Sequence, residues 1–290
     1  MQRAGLSLSF KAGLTKLARR DLAMNFWEGL LKLMIASMIF FPEKAFYEKP
    51  ADYGLIFENA LIRTSDGVDL HGWYLPAPGA KAVLLFFHGN AGNISGRLAK
   101  ADGWVRRGYA VCLVDYRGYG ASQGRIEHQD DVMRDAEASL EWLMKEKNWP
   151  LSKVVFYGES LGTHPAIRLG VEHSAAAVIL EAPFTSFADL GKIHYPFVPS
   201  ALVRDFTFPN EDYIAGLKAP LFILHGMEDE ICPYAMAGEL FEKAPLPKEF
   251  FSIADGRHND LPIKAGEDYW DKPAAFLEKI LSEKKNSAQA

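Results

Sequence analysis

Beyond about residue 50 the chain keeps one rhythm: apolar runs of strand length alternate with helix-like segments and are closed by glycine, proline or polar turns. The runs FENALIRT and LHGWYL flank Ser65-Asp66-Gly67 and predict a hairpin at a sheet edge. AVLLFF, AVCLVDY, KVVFYG, AAVIL, PLFILHG and EFFSIA follow, with helices expected between most of them, notably over Asp130 to Glu146 and, at the end, Asp271 to Lys284. Runs such as VLLFF, apolar at every position, suit central parallel strands covered on both faces. The predicted class is therefore α/β, a mostly parallel doubly wound sheet that begins with an antiparallel hairpin. Between Pro183 and Ala219 a Pro- and Phe-rich insertion replaces a plain crossover and predicts a small cap over the carboxyl end of the sheet.

The first 50 residues follow another pattern. Leu30 to Phe41 (LLKLMIASMIFF) holds one charge and is too short for a bilayer span of about 20 residues. In a helix Trp27, Leu31, Met34, Met38 and Phe41 share a stripe, Glu28 and Lys32 lie opposite, and Pro42 ends it. Charge sharpens the picture. The net charge of −5 conceals Arg3, Lys11, Lys16, Arg19 and Arg20 in a first stretch of 20 residues that holds no acid. A basic, amphipathic segment over residues 1–50 is expected, touching a membrane surface through residues 1–41 and making the protein membrane-associated; the alternative is a helix packed on the protein's own core in a cytoplasmic protein. The acidic remainder, 51–290, reads as one domain and would repel nucleic acid. Cys112 and Cys232 have no spacing that suggests a zinc site or a disulfide framework.

Candidate chemistry centres on Gly158-Glu-Ser160-Leu-Gly162, a serine between a buried strand and a helix, the setting of a nucleophile elbow. A serine hydroxyl needs a base, and the base an orienting acid. Of eight histidines, His71, His128, His164, His173 and His194 fall where they serve structure or solvent. His88 and His225 each end an apolar strand in a His-Gly pair and read as braces for loop backbone. His258, in the polar loop after the last strand, has the position from which a side chain reaches over the sheet to Ser160. The acid is expected between serine and histidine, where Glu228, Asp229 and Glu230 follow the strand LFIL, and spacing does not choose among them.

From Ala82 onward the chain resembles the alpha/beta-hydrolase family, and within it the membrane-linked serine hydrolases that include eukaryotic protein depalmitoylases and bacterial relatives. The segments that carry the resemblance are LLFFHGNAGN (84–93), DYRGYGASQG (115–124), YGESLGTH (157–164), LEAPFTS (180–186), HGMEDEICP (225–233) and GRHND (256–260). The resemblance implies Asp229 as the acid, His258 as the base and Ser160 as the nucleophile. It also implies an oxyanion site built from the N–H groups of Leu161 and Asn90. DYRGYG reads as a structural loop beside the elbow: its glycines miss the dinucleotide fingerprint by one residue, and no cofactor is expected. Neither H-E-x-x-H nor G-x-x-x-x-G-K-[ST] occurs, so neither a metal nor phosphoryl transfer is expected.

The function implied is hydrolysis of an ester or thioester, with a small-molecule or lipid acyl ester as substrate. Phe184, Phe187, Tyr195, Phe197, Phe206 and Phe208 in the insertion are either an apolar acyl pocket or packing for the insertion itself. The rivals are a serine peptidase on the same fold and a membrane-bound scaffold that has the fold without the activity.

Overall fold

A buried strand must pair every backbone N–H and C=O, and the apolar runs do so with one another. In the computed structural model, which describes residues 34–287, they form one sheet of eight strands. β1 (Glu58–Arg63) and β2 (Asp69–Leu75) are the antiparallel hairpin, and β2 pairs antiparallel with β4 (Ala110–Val114). β3 (Val83–Phe87), β5 (Val154–Glu159), β6 (Ala177–Glu181), β7 (Leu221–Gly226) and β8 (Lys248–Ile253) complete the sheet in the order β8-β7-β6-β5-β3-β4-β2-β1, parallel from β8 to β4. β3, β4 and β6 are buried at every position, as strands covered on both faces must be.

The helices are α1 (Leu98–Arg106), α2 (Gln129–Glu146), α3 (Thr163–Glu172), α4 (Phe187–His194), α5 (Asn210–Tyr213), α6 (Tyr234–Lys243), α7 (Leu261–Ala265) and α8 (Asp268–Ser287). α8 begins about one turn before the expected Asp271, because Tyr269 is fully buried and the Trp270 indole donates to Lys100 O at 3.0 Å. These anchors draw the first turn onto the sheet. β3 leads to β4 on one side and has β5 on the other, so the connections diverge at the carboxyl ends of β3 and β5. In an open α/β sheet that divergence leaves a crevice, the usual place for a ligand.

The insertion from Pro183 to Ala219 folds as α4, α5 and short 3-10 turns. Its aromatics divide. Phe184, Phe206 and Phe208 are buried, with Phe187 edge-on to both Phe184 and Phe208, whereas Tyr195 and Phe197 are exposed, Phe197 at 96%. The insertion is tied to α3 by His164, whose Nδ1 lies 2.9 Å from Asn210 Oδ1, while Asn210 Nδ2 donates to Phe184 O at 3.0 Å. Burial, helped by the Arg168 charge and only partly offset by the Asn210 hydrogen bond, lowers the His164 pKa to about 4.

This histidine has a consequence for acid stability. Its folded pKa is depressed, so below about 6.5 the unfolded chain takes up a proton that the folded chain refuses, and stability falls as pH drops toward 4. Denaturant unfolding of the protein at pH 7 and 4.5 should show His164 contributing on the order of 2 kcal/mol to that decline. His164→Gln should be less stable at pH 7 and show a shallower loss on acidification. An equal loss in both proteins would assign the acid sensitivity to other groups.

Contacts divide the chain into residues 1–40 and 41–290. In the first unit residues 34–39 are helical and Met34 and Met38 are exposed, but the helix ends at Ile39 and does not reach Phe41, expected on its stripe, because Phe41 is held in strand pairing instead. Trp27, Glu28, Leu31, Lys32 and the five basic residues of the expected segment lie outside the described residues. Among the described residues no helix is long and apolar enough to cross a membrane. In the second unit Phe41–Pro42 pairs in parallel with Ala91–Gly92.

Candidate active site

β5 ends at Glu159, and Ser160 opens one 3-10 turn, Ser160–Gly162, that continues into α3. Ser160 has φ 51°, in the left-handed region that non-glycine residues avoid. The flanking glycines make this turn passable. A Cβ on Gly158 would lie 2.3 Å from Gly162 O, and one on Gly162 would lie 2.0 Å from Phe87 O. Strand, turn and helix therefore close together only without those two side chains, and Ser160 stands at the crevice between the ends of β3 and β5.

His258 follows β8, and its Nε2 lies 3.1 Å from Ser160 Oγ. Its Nδ1 lies 2.8 Å from Asp229 Oδ2. Asp229 Oδ1 accepts from the backbone N–H of Ile231 at 2.9 Å and of Cys232 at 2.7 Å, which locks the carboxylate in its rotamer. The Asp229 side chain has no solvent exposure and that of His258 has 9%. Glu228 and Glu230 are exposed. Of three acids that spacing left equal, the fold turns only Asp229 inward to the imidazole. The Cys232 thiol sits beside Ser160; burial and the Asp229 charge raise its pKa well above the ordinary value, partly offset by a hydrogen bond with the serine, so it is a neutral neighbour.

The other two strand-end histidines bond to their own loops, although His225 Nε2 also lies 3.8 Å from Asp229 Oδ2. His88 Nδ1 donates to Gly89 O at 2.7 Å and His225 Nδ1 to Gly226 O at 2.9 Å, each bracing its own loop. Burial lowers both imidazoles, His88 to about 4, and leaves them neutral.

Leu161 is the first residue of the turn after Ser160 and is fully buried. Asn90 belongs to the loop after β3, and that loop runs alongside the serine: a Cβ on Gly89 would lie 3.5 Å from Ser160 Cβ. The segment DYRGYG holds it there. Tyr119 Oη donates to Asn90 O at 2.7 Å, Tyr116 Oη donates to His88 O at 2.9 Å, and Asp115 Oδ1 accepts from Ile94 N at 2.9 Å. A loop expected beside the elbow thus fastens the strand-end segment that carries Asn90.

What the sequence did not disclose is a buried ionic group beneath the serine. Glu159 accepts from Arg97 at 2.8 Å and from Lys100 at 2.9 Å, and Lys100 reaches on to Glu181 at 2.8 Å. Glu181 in turn accepts the hydroxyls of Tyr157 and Tyr269, both at 2.7 Å. Burial alone would raise the Glu159 carboxyl; the Arg97 and Lys100 charges outweigh it and hold the group well below the carboxylate range. Only the identity of residue 159, inside the serine motif, hinted at a charge here. A cluster with metal-like spacing, Glu137, Glu172 and His173, lies on α2 and around the end of α3, and Arg168 already occupies Glu172.

Comparison with known proteins speaks to the family and the fold. Residues 78–204 match the family model described as serine aminopeptidase, S33, a span that includes Ser160 and ends before Asp229 and His258. The uncharacterized protein Rv2307c of Mycobacterium tuberculosis is 34% identical over 221 residues, covering 76% of this chain and 78% of its own. The alpha/beta hydrolase domain-containing protein WAV2 of Arabidopsis thaliana is 31% identical over 290 residues, covering 89% of this chain and 94% of its own. Among solved structures, the Pyrococcus furiosus esterase Pf2001 superposes with a TM-score of 0.68 at 21% identity, over 83% of this chain and 99% of that one, a likeness of fold.

Proposed function

The chain belongs to the alpha/beta-hydrolase family, and from that premise we propose that it is a serine hydrolase of carboxylic esters or thioesters with apolar acyl groups. The observation that carries the reading is His258 standing in hydrogen-bond reach of both Ser160 and the buried Asp229. Ser160 Oγ attacks the acyl carbonyl as His258 Nε2 takes its proton, and Asp229 holds the Nδ1–H that keeps the ring in the accepting tautomer. The N–H groups of Leu161 and Asn90 receive the oxyanion, each contributing on the order of 3 kcal/mol in the transition state. Collapse of the tetrahedral intermediate expels the alcohol or thiol, protonated by His258, and water then releases the acyl group from Ser160 by the same proton route.

Two features favour an apolar acyl group. Ile193, Tyr195, Phe197 and Val198 of the insertion are exposed, and His194 Nε2 donates to Ile231 O at 2.8 Å, joining the insertion to the loop that holds Asp229. Met227 and Ile231 on that loop are exposed as well. The matching family model is described as an aminopeptidase, so the alternative substrate is an aminoacyl amide. Turnover should be measured on esters and thioesters of graded acyl length beside aminoacyl amides. Preference for longer acyl chains supports the proposal, and turnover confined to the amides overturns it.

The proposal extends to a membrane surface through residues 1–41, where the five basic side chains of the first 20 residues and the exposed Met34 and Met38 suit an anionic interface. Deleting residues 1–40 preserves the Phe41–Pro42 pairing with Ala91–Gly92. It should release the protein from sedimented vesicles, leave turnover of a short soluble ester within a few fold, and sharply reduce hydrolysis of a membrane-embedded ester. Aggregation with equal loss on both esters would instead make the segment part of the protein's own core.

A further inference from the structure

The Arg97 guanidinium occupies a place that neither the nucleophile nor the base explains. Its side chain is 14% exposed, and its fork joins two backbone segments that must keep register during acyl transfer. Nη2 donates to Glu159 Oε1 at 2.8 Å, and Glu159 is the residue immediately before Ser160. Nη1 donates to Ala91 O at 2.7 Å and approaches Asn93 O at 3.4 Å, on the loop that carries Asn90. Between these contacts lies Gly89, where a Cβ would stand 2.8 Å from Glu159 Oε1, 3.2 Å from Arg97 Nη2 and 3.5 Å from Ser160 Cβ. The guanidinium therefore lies against Gly89, the residue before Asn90.

We infer that Arg97 is a positioning residue: it clamps the loop bearing the Asn90 N–H to the strand bearing Ser160, and so sets the distance between the nucleophile and one oxyanion donor. This rests on the serine-hydrolase reading above. A planar fork suits the task because one group satisfies a carboxylate and a carbonyl in fixed directions, which the single ammonium of lysine does not. Lys100 is the natural contrast. It contacts the same carboxylate but continues to Glu181, away from the loop, and so neutralises charge without holding Asn90.

The test separates positioning from charge balance. Arg97→Met and Arg97→Lys should each lower kcat by about ten- to a hundredfold, within the range for a displaced oxyanion donor, with KM changed less than about threefold. In Arg97→Met/Glu159→Gln the unpaired charge is gone and Lys100 still pairs with Glu181, so the unfolding midpoint should return toward that of the parent while kcat stays low. Recovery of kcat in the double variant, or a kcat within about threefold in both single variants, would reduce Arg97 to a counter-ion and overturn the inference. Should Arg97→Met not fold, Arg97→Lys and the double variant still decide it. Labelling of the parent protein by a fluorophosphonate separates the two levels: a labelled parent with unaffected Arg97 variants sinks this inference alone, whereas an unlabelled, inactive parent sinks the serine-hydrolase reading and this inference with it.

Discussion

Ser160→Ala is expected to abolish covalent labelling by an organophosphorus reagent and to lower ester turnover by on the order of 10⁵- to 10⁶-fold. The folded state should be unaffected. Residue 160 holds φ 51° in either protein, the steric fit at Gly158 and Gly162 involves no hydroxyl, and alanine places its Cβ where serine already has one. The unfolding midpoint should therefore stay within a degree or two while chemistry disappears, since only the attacking atom is removed. Labelling that persists in the variant would move the nucleophile elsewhere. A parent protein that neither labels nor turns over any acyl substrate would favour a scaffold that has the fold without the activity.

Asp229→Asn is the second large effect, expected at about 10⁴-fold in kcat. The geometry gives the reason. Asp229 Oδ1 accepts two backbone N–H groups, from Ile231 and Cys232, so the asparagine oxygen must take that position and its NH₂ must face His258 Nδ1. A donor there forces the imidazole to accept at Nδ1 and to carry its proton on Nε2, the atom that has to receive the proton of Ser160. The variant thus keeps every contact and presents the wrong tautomer. Glu228→Gln and Glu230→Gln, both on exposed positions, should each change kcat by less than about tenfold. A crippled Glu228→Gln beside an active Asp229→Asn would show that another acid orients the base.

Much of this site was legible before any coordinates. Periodicity is a local property, so the alternation of apolar strands with helices predicted the parallel sheet and its antiparallel start, and the structure has both. The strand-Gly-x-Ser-x-Gly-helix order was readable for a similar reason, since the steric demand on Gly158 and Gly162 arises within five residues of chain. His258 was singled out by its place after the last strand, since loops at that end of such a sheet converge on one crevice. The insertion was legible only as composition. Its phenylalanines look alike in sequence, and burial of Phe184, Phe206 and Phe208 against exposure of Phe197 was decided by which of them met α3 and the sheet.

By itself, then, the sequence determined the order of elements, the turn that exposes Ser160, and the loops in which a base and an acid had to be sought. The tertiary structure decided which groups meet. Glu228, Asp229 and Glu230 have the same charge and nearly the same position in the chain, and only the direction of the turn after β7 brings Asp229 to His258. Arg97, Lys100, Glu159 and Glu181 come from an arginine and a lysine at the start of one helix and from the ends of two strands, with no spacing that announces them. Their pairing is set by the packing of α1 on the sheet, where Trp104 meets Tyr157 edge-on, because ionic attraction acts through space, and distances in space are fixed by long-range packing that no local pattern encodes.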